Sequence, residues 1–108
     1  MNTHWLYRIR PTRPEMLTEG PTDDERQATQ EHFAYLKGLS ERGVVLLAGR
    51  TTAPIDESFG IVVFAAADDR AAQALVDGDP AVARGVMSAE LFPYRVAIFS
   101  PAIVDAVS

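Results

Sequence analysis

The sequence predicts an α+β fold, a ferredoxin-like βαββαβ sandwich in which an antiparallel sheet carries two helices on one face. Three observations lead there. Hydrophobic periodicity runs strand, helix, strand, strand, helix, strand along the chain; one amphipathic helix of roughly 20 residues has start and stop signals at its ends; and two β-branched apolar runs lie close enough to pair as a hairpin. With 108 residues and 47% hydrophobic content there is material for one core, so residues 1–108 read as a single domain with a C-terminal tail at about 100–108.

The first strand is His4 to Arg10 (HWLYRIR), where Trp5, Tyr7 and Ile9 alternate with His4, Leu6, Arg8 and Arg10, and Pro11 ends it. The following PTRPEMLTEGP, with three prolines and a glycine, reads as loop. Thr22 followed by Asp23, Asp24 and Glu25 is a capping box with acidic residues over the first helical turn, so the long helix starts there; Arg42-Gly43 is its stop. Val44 to Thr52 and Phe59 to Ala66 are the hairpin strands, joined by TAPIDES, a turn built around Pro54. Asp68 caps a second helix through about Val76 with Ala72, Leu75 and Val76 as its apolar side and Gly78 as its stop. Asp79-Pro80 restarts the chain for one turn before Gly85, because an aspartate cap with proline in the first helical position is a start signal. The last strand runs from about Ser88 to Phe99, with Glu90, Phe92, Tyr94, Val96 and Ile98 on one side and Pro93 marking an edge or bulge.

Both VVLLAG and IVVFAA are apolar at consecutive positions, so both faces of the sheet seek burial while the two helices cover one. A second copy packing sheet against sheet resolves this, which predicts a homodimer, with the tail PAIVDAV contributing to the interface.

Composition removes several function classes. The formal charge of −5 and pI near 4.8 disfavour a nucleic-acid partner, although Arg8, Arg10 and Arg13 make the first segment locally basic. Without cysteine there are no disulfides or thiolate nucleophiles, and two histidines in different segments give no ligand cluster, so neither a metal nor another cofactor is expected. The longest apolar run, Ile61 to Ala67, is far short of the roughly 20 residues of a membrane helix, and the start has no signal-type segment. The expectation is a soluble cytoplasmic protein with no membrane partner.

One residue of the long helix is out of pattern. At about 100° per residue, Ala28, Tyr35, Leu36, Leu39 and Gly43 share the side of His32, while Gln30, Ala34, Lys37 and Glu41 lie opposite. His32 therefore faces inward, where an imidazole without a partner costs roughly 1–3 kcal/mol. The helix alone is satisfied by a core histidine bonded to a backbone carbonyl. In the predicted topology the first two strands run the same way, so Arg10, the start of the long helix, Asp79 and Gly49-Arg50-Thr51 gather at one end, a natural ligand pocket. His32 stands roughly 15 Å below that end at 1.5 Å per residue, so Asp79 meets it only if residues 79–87 fold down along the helix.

The run EHFAYLKGLSERGVVLLAG, then DPAVARGV and ELFPYRVA, together with the opening YRIRPTRP, resembles the YciI-like (YCII-related) family of the dimeric α+β barrel superfamily over nearly the whole chain. The combination of a helix histidine, a glycine ending the second strand and an Asp-Pro after the second helix makes the resemblance specific. It implies homodimers of ferredoxin-like subunits and an active-site pair at the positions of His32 and Asp79. The family often has Gly-Pro where this chain has Gly49-Arg50, which implies a more cationic rim and a different ligand.

A carboxylate accepting one imidazole N–H fixes the tautomer and raises the basicity of the other nitrogen. Proton abstraction beside a carbonyl, isomerisation of an enol or lactone, and dehydrohalogenation are the chemistries such a pair supports. Muconolactone isomerase in the superfamily and a chlorohydroquinone dehydrochlorinase in the family do chemistry of this kind. On this reading the substrate is a small oxygenated or aromatic molecule, His32 and Asp79 are catalytic, and Arg10, Tyr35, Gly49 and Arg50 are the candidate substrate-binding residues. The other reading keeps the same dimer as a small-molecule-binding or accessory module without turnover, with Asp79 a helix cap and the arginines solvated charges.

Overall fold

The computed structural model describes residues 3–52 and 57–106. Its elements are β1 (His4–Pro11), α1 (Glu15–Thr18), α2 (Asp23–Glu41), β2 (Val45–Arg50), β3 (Gly60–Ala65), α3 (Asp69–Asp77), α4 (Pro80–Ala83), β4 (Met87–Tyr94) and α5 (Ile103–Ala106). The sheet is antiparallel throughout its pairings, in the order β2-β3-β1-β4, so β1 sits centrally between β3 and β4. The predicted α+β architecture is the one observed.

The two-residue alternation of β1 decides which face holds the core. Trp5, Tyr7 and Ile9 point toward the helices and are buried with Val45, Val62, Phe64, Ala72 and Val76, with Leu36, Leu39 and Leu75 packed against them. Tyr7 and Phe64 meet edge to face, ring centroids 5.8 Å apart. On the opposite face Leu47, Phe92 and Tyr94 remain 41–43% exposed. A bulge between Val45 and Leu47 shifts the register of β2, so Leu47, two residues after the buried Val45, is exposed along with Leu46.

Local signals place most element ends. The Thr22 side chain accepts from the Glu25 N–H and the Glu25 carboxylate accepts from the Thr22 N–H, completing the capping box. At the other end Gly43 has φ 75°, and the N–H groups of Gly43 and Val44 donate to the carbonyls of Ser40 and Leu39. This left-handed position costs an L residue roughly 1–2 kcal/mol. Gly43→Ala is accordingly expected to lower the unfolding free energy by about 1 kcal/mol or more, read as a lower urea midpoint at unchanged slope.

Four sequence expectations need correction or trimming. The loop after β1 contains one helical turn, α1, because Pro14 supplies a helical φ of −56° and Met16 gains burial. The last strand ends at Tyr94, five residues before Phe99; Tyr94 pairs with His4, where β1 begins, and beyond it there is no ladder partner. Pro93 is tolerated because β4 is an edge strand. Gly78 ends α3 with an ordinary φ of −81°, and its lack of a side chain leaves space instead: a Cβ there would stand 3.0 Å from the Tyr35 hydroxyl. The hairpin strands are each a residue or two shorter at their ends than expected, and the turn assigned to Pro54 lies outside the described residues.

Candidate functional site

Three elements converge on one carboxylate. Asp79 follows α3 and caps α4: its Oδ1 accepts from the Ala81 N–H at 3.0 Å, while Pro80 occupies the first turn. Gly85, at φ 73°, closes α4 after a single turn through bonds from Gly85 and Val86 back to Val82 and Ala81. This short element packs against α2, and Arg84 at its end donates to Glu31 at 3.1 Å. The chain thus does fold down along the long helix, which brings His32 Nδ1 to 2.8 Å from Oδ1 and 2.7 Å from Oδ2 of Asp79.

A third partner comes from the sheet. Tyr7 donates its hydroxyl to Asp79 Oδ2 at 2.8 Å. Asp79 is fully buried and His32 nearly so. Burial first, and then the charge of Asp79, hold the Tyr7 phenol far above its ordinary range, so Tyr7 is a permanent donor. With Tyr7 O–H and Ala81 N–H both donating, a carboxylate at Asp79 assigns the proton of the His32 contact to Nδ1 and leaves the Nε2 lone pair free. Nε2 has no partner among the described residues, and it is not sealed away, since Arg8 Nε alone among their side-chain nitrogens and oxygens is both fully buried and unpartnered.

The site bears on three readings of the sequence. The partner of His32 is the carboxylate that the family resemblance implied, in place of the backbone carbonyl that the helix alone allowed. Asp79 as helix cap and Asp79 as imidazole partner, set against each other as alternatives, are one arrangement in which Oδ1 serves both bonds. Tyr7, placed by the sequence only in the alternation of the first strand, joins the site; a tyrosine on the inward side of a strand must find a partner for its hydroxyl, and that is the signal that could have found it.

The proposed substrate-binding residues are not gathered around His32. Tyr35 lies on the same side of α2, but its hydroxyl donates to the Leu75 carbonyl at 2.6 Å, and burial together with the Asp79 charge raises its pKa. Arg10 lies on the other face of the sheet, where Arg8 and Arg10 both stand over the Phe59 ring at 5.8 and 5.9 Å. Gly49 and Arg50 line a depression of about 260 Å³ with Leu47, Thr51, Phe59 and Ile61. Neither it nor a second one between α3 and β4, over Trp5, Leu91 and Pro93, reaches His32 or Asp79. The cause is strand alternation: Tyr7 and Ile9 point to the helices, so Arg8 and Arg10 point away.

The start of α2 carries a separate charged cluster. Arg13 grips Glu25 with two bonds of 2.8 and 2.7 Å and also reaches the Gly20 carbonyl. The Arg13 guanidinium, with help from the Thr22 N–H, holds the Glu25 carboxyl at about 2. A folded-state value below the unfolded one gives stability that is present above about 4.5 and is lost as pH falls toward 2. Glu25→Gln is expected to flatten the pH dependence of the urea midpoint in that window.

With this geometry in view, comparison with known proteins decides the family. The sequence profile of the YCII-related domain matches residues 6–95, most of the chain. The chain belongs to the YCII-related family. Among solved structures, this YCII-related protein is similar to the 5-chloro-2-hydroxyhydroquinone dehydrochlorinase of Burkholderia phenoliruptrix AC1100, whose structure holds 2,5-dihydroxybenzoquinone; identity is 16%, TM-score 0.58, with 84% of this chain and 93% of that one covered. It is also similar to an uncharacterized protein of Thermotoga maritima, with 15% identity, TM-score 0.50, and 87% and 98% covered. At such identities the likeness is one of fold. No curated protein matches by sequence. Among the described residues no helix is long and apolar enough to cross a membrane.

Proposed function

We propose that this YCII-related protein is a small cofactor-independent enzyme in which His32 acts as a general base, oriented by Asp79, on a small oxygenated or aromatic compound. The observation that carries this reading is the contact of His32 Nδ1 with a fully buried carboxylate, which leaves Nε2 as the nitrogen free to take a proton. In the proposed step the substrate C–H bond breaks and an N–H bond forms at Nε2. The electron pair enters an enolate or dienolate, which is either reprotonated at another carbon or expels a halide. Asp79 compensates the imidazolium charge, and Tyr7 holds the carboxylate in place. The dehydrochlorinase of similar fold, with its bound dihydroxyquinone, supports this substrate class.

The proposal includes a cytoplasmic homodimer whose interface is the uncovered face of the sheet, since Leu47, Phe92 and Tyr94 are exposed there on the side opposite the helices. In it Arg10, Gly49 and Arg50 would sit near the junction of the subunits, as candidate contacts for an anionic ligand of the partner's site.

The test uses 2,5-dihydroxybenzoquinone as probe. In D2O, its ring protons exchange through a carbon-protonated tautomer, and NMR follows their loss. Exchange accelerated by the wild type, and lost in His32→Gln while probe binding persists, supports catalysis. Binding with no acceleration by any form supports the accessory-module reading instead.

A further inference from the structure

The segment after β4 has no role in the fold described above. Ile98, Phe99, Ile103 and Val104 are 92, 77, 47 and 75% exposed, a density of apolar side chains that a soluble chain seldom leaves in water without use. The hydrogen bonds observed for residues 100–105 run from Ile103, Val104 and Asp105 to the carbonyls of Ser100, Pro101 and Ala102, and from Ala102 to the Ser100 hydroxyl, all within the segment. The match to the YCII-related domain covers residues 6–95 and leaves this segment outside it.

We infer that residues 96–106 form an arm that packs onto a second copy of this chain along its uncovered sheet face, each copy giving one arm and receiving one. This rests on the dimer reading above and extends it. The arm begins directly after Tyr94, and Tyr94 and Phe92 lie on the uncovered face, so the exposed apolar residues of the face are followed in the chain by those of the arm. Charge favours the same occupant. The arm's single charged residue is Asp105, whereas the face presents Arg8 and Arg10, and Arg10 has no acidic partner among the described residues. An anionic membrane would call for basic residues beside the apolar ones, and residues 96–108 contain none. Folding back onto its own sheet would have buried Ile98 and Phe99, which remain open.

Sedimentation equilibrium on the full chain, on Ile98→Asp/Phe99→Asp and on a chain ending at Arg95 tests the arm. Because both substituted residues are exposed in the subunit, the double variant keeps its fold even if the shortened chain does not. The expected result is a dimeric full chain and a dissociation constant raised about a hundredfold or more in the double variant, from loss of two large apolar contacts per arm. A dimer of unchanged affinity in the variant overturns the arm and leaves the sheet interface standing. A full chain that is monomeric at every concentration, or that pellets with anionic lipid vesicles as a monomer, overturns both.

Discussion

Replacing Asp79 with alanine is expected to cost about 3–5 kcal/mol of folding free energy, as much as truncating a large core side chain. Asp79 is fully buried and accepts from three separate segments: Tyr7 on β1, His32 on α2 and the Ala81 N–H of its own helix. Alanine leaves all three donors unsatisfied in a buried site, at about 1–3 kcal/mol for each buried orphan before relaxation. It also removes the cap of α4, the turn that reverses the chain into β4. Asp79→Asn keeps the volume and one acceptor, so its loss should be clearly smaller. Tyr7→Phe, which removes one donor and leaves two, should cost about 1–2 kcal/mol. Urea unfolding of the three variants gives the ranking. An alanine variant within about 0.5 kcal/mol of wild type would show that the carboxylate is a surface-like cap with no part in holding the core.

His32→Gln is expected to reduce proton exchange in the probe by about 10²- to 10⁴-fold, the usual contribution of a positioned general base. Glutamine can still donate to Asp79 from its amide, so the buried carboxylate keeps a partner and the fold survives. What is lost is the lone pair that Nε2 presents. Activity lost with binding and urea midpoint retained separates a chemical role from a structural one. Exchange at the wild-type rate in this variant would remove His32 from the mechanism and favour a binding module.

The extent to which the site was legible follows from the sequence distance of its contacts. Thr22 with Glu25, Asp68 with Ala71, Asp79 with Ala81, and the left-handed Gly43 and Gly85 all act within one or two turns, so residue type and spacing disclosed them. The inward orientation of His32 was likewise readable, because 3.6-residue periodicity is a property of the helix itself. Its partner was not. His32 and Asp79 are 47 residues apart, and resemblance to the family named them together without saying whether they touch. Tyr7, 72 residues before Asp79, joins them through a hydroxyl that periodicity counts as part of a core side chain.

The same division explains the errors. β4 was read as far as Phe99 because its alternation continues past Tyr94, but a strand lasts only as long as its neighbour offers backbone groups, and β1 begins at His4. The placement of Arg10, Gly49 and Arg50 is a separate matter: they were grouped as ligand contacts because they share an end of the sandwich, while the side of the sheet on which each lies depends on pleat and register. Sequence by itself determined the order of the four strands and of the two main helices, their caps, the inward histidine and the family. Tertiary structure alone decided that one buried carboxylate serves as cap, imidazole partner and phenol acceptor at once, because local signals act along the chain and these three donors meet only when helices α2 and α4 and strand β1 pack around the same point.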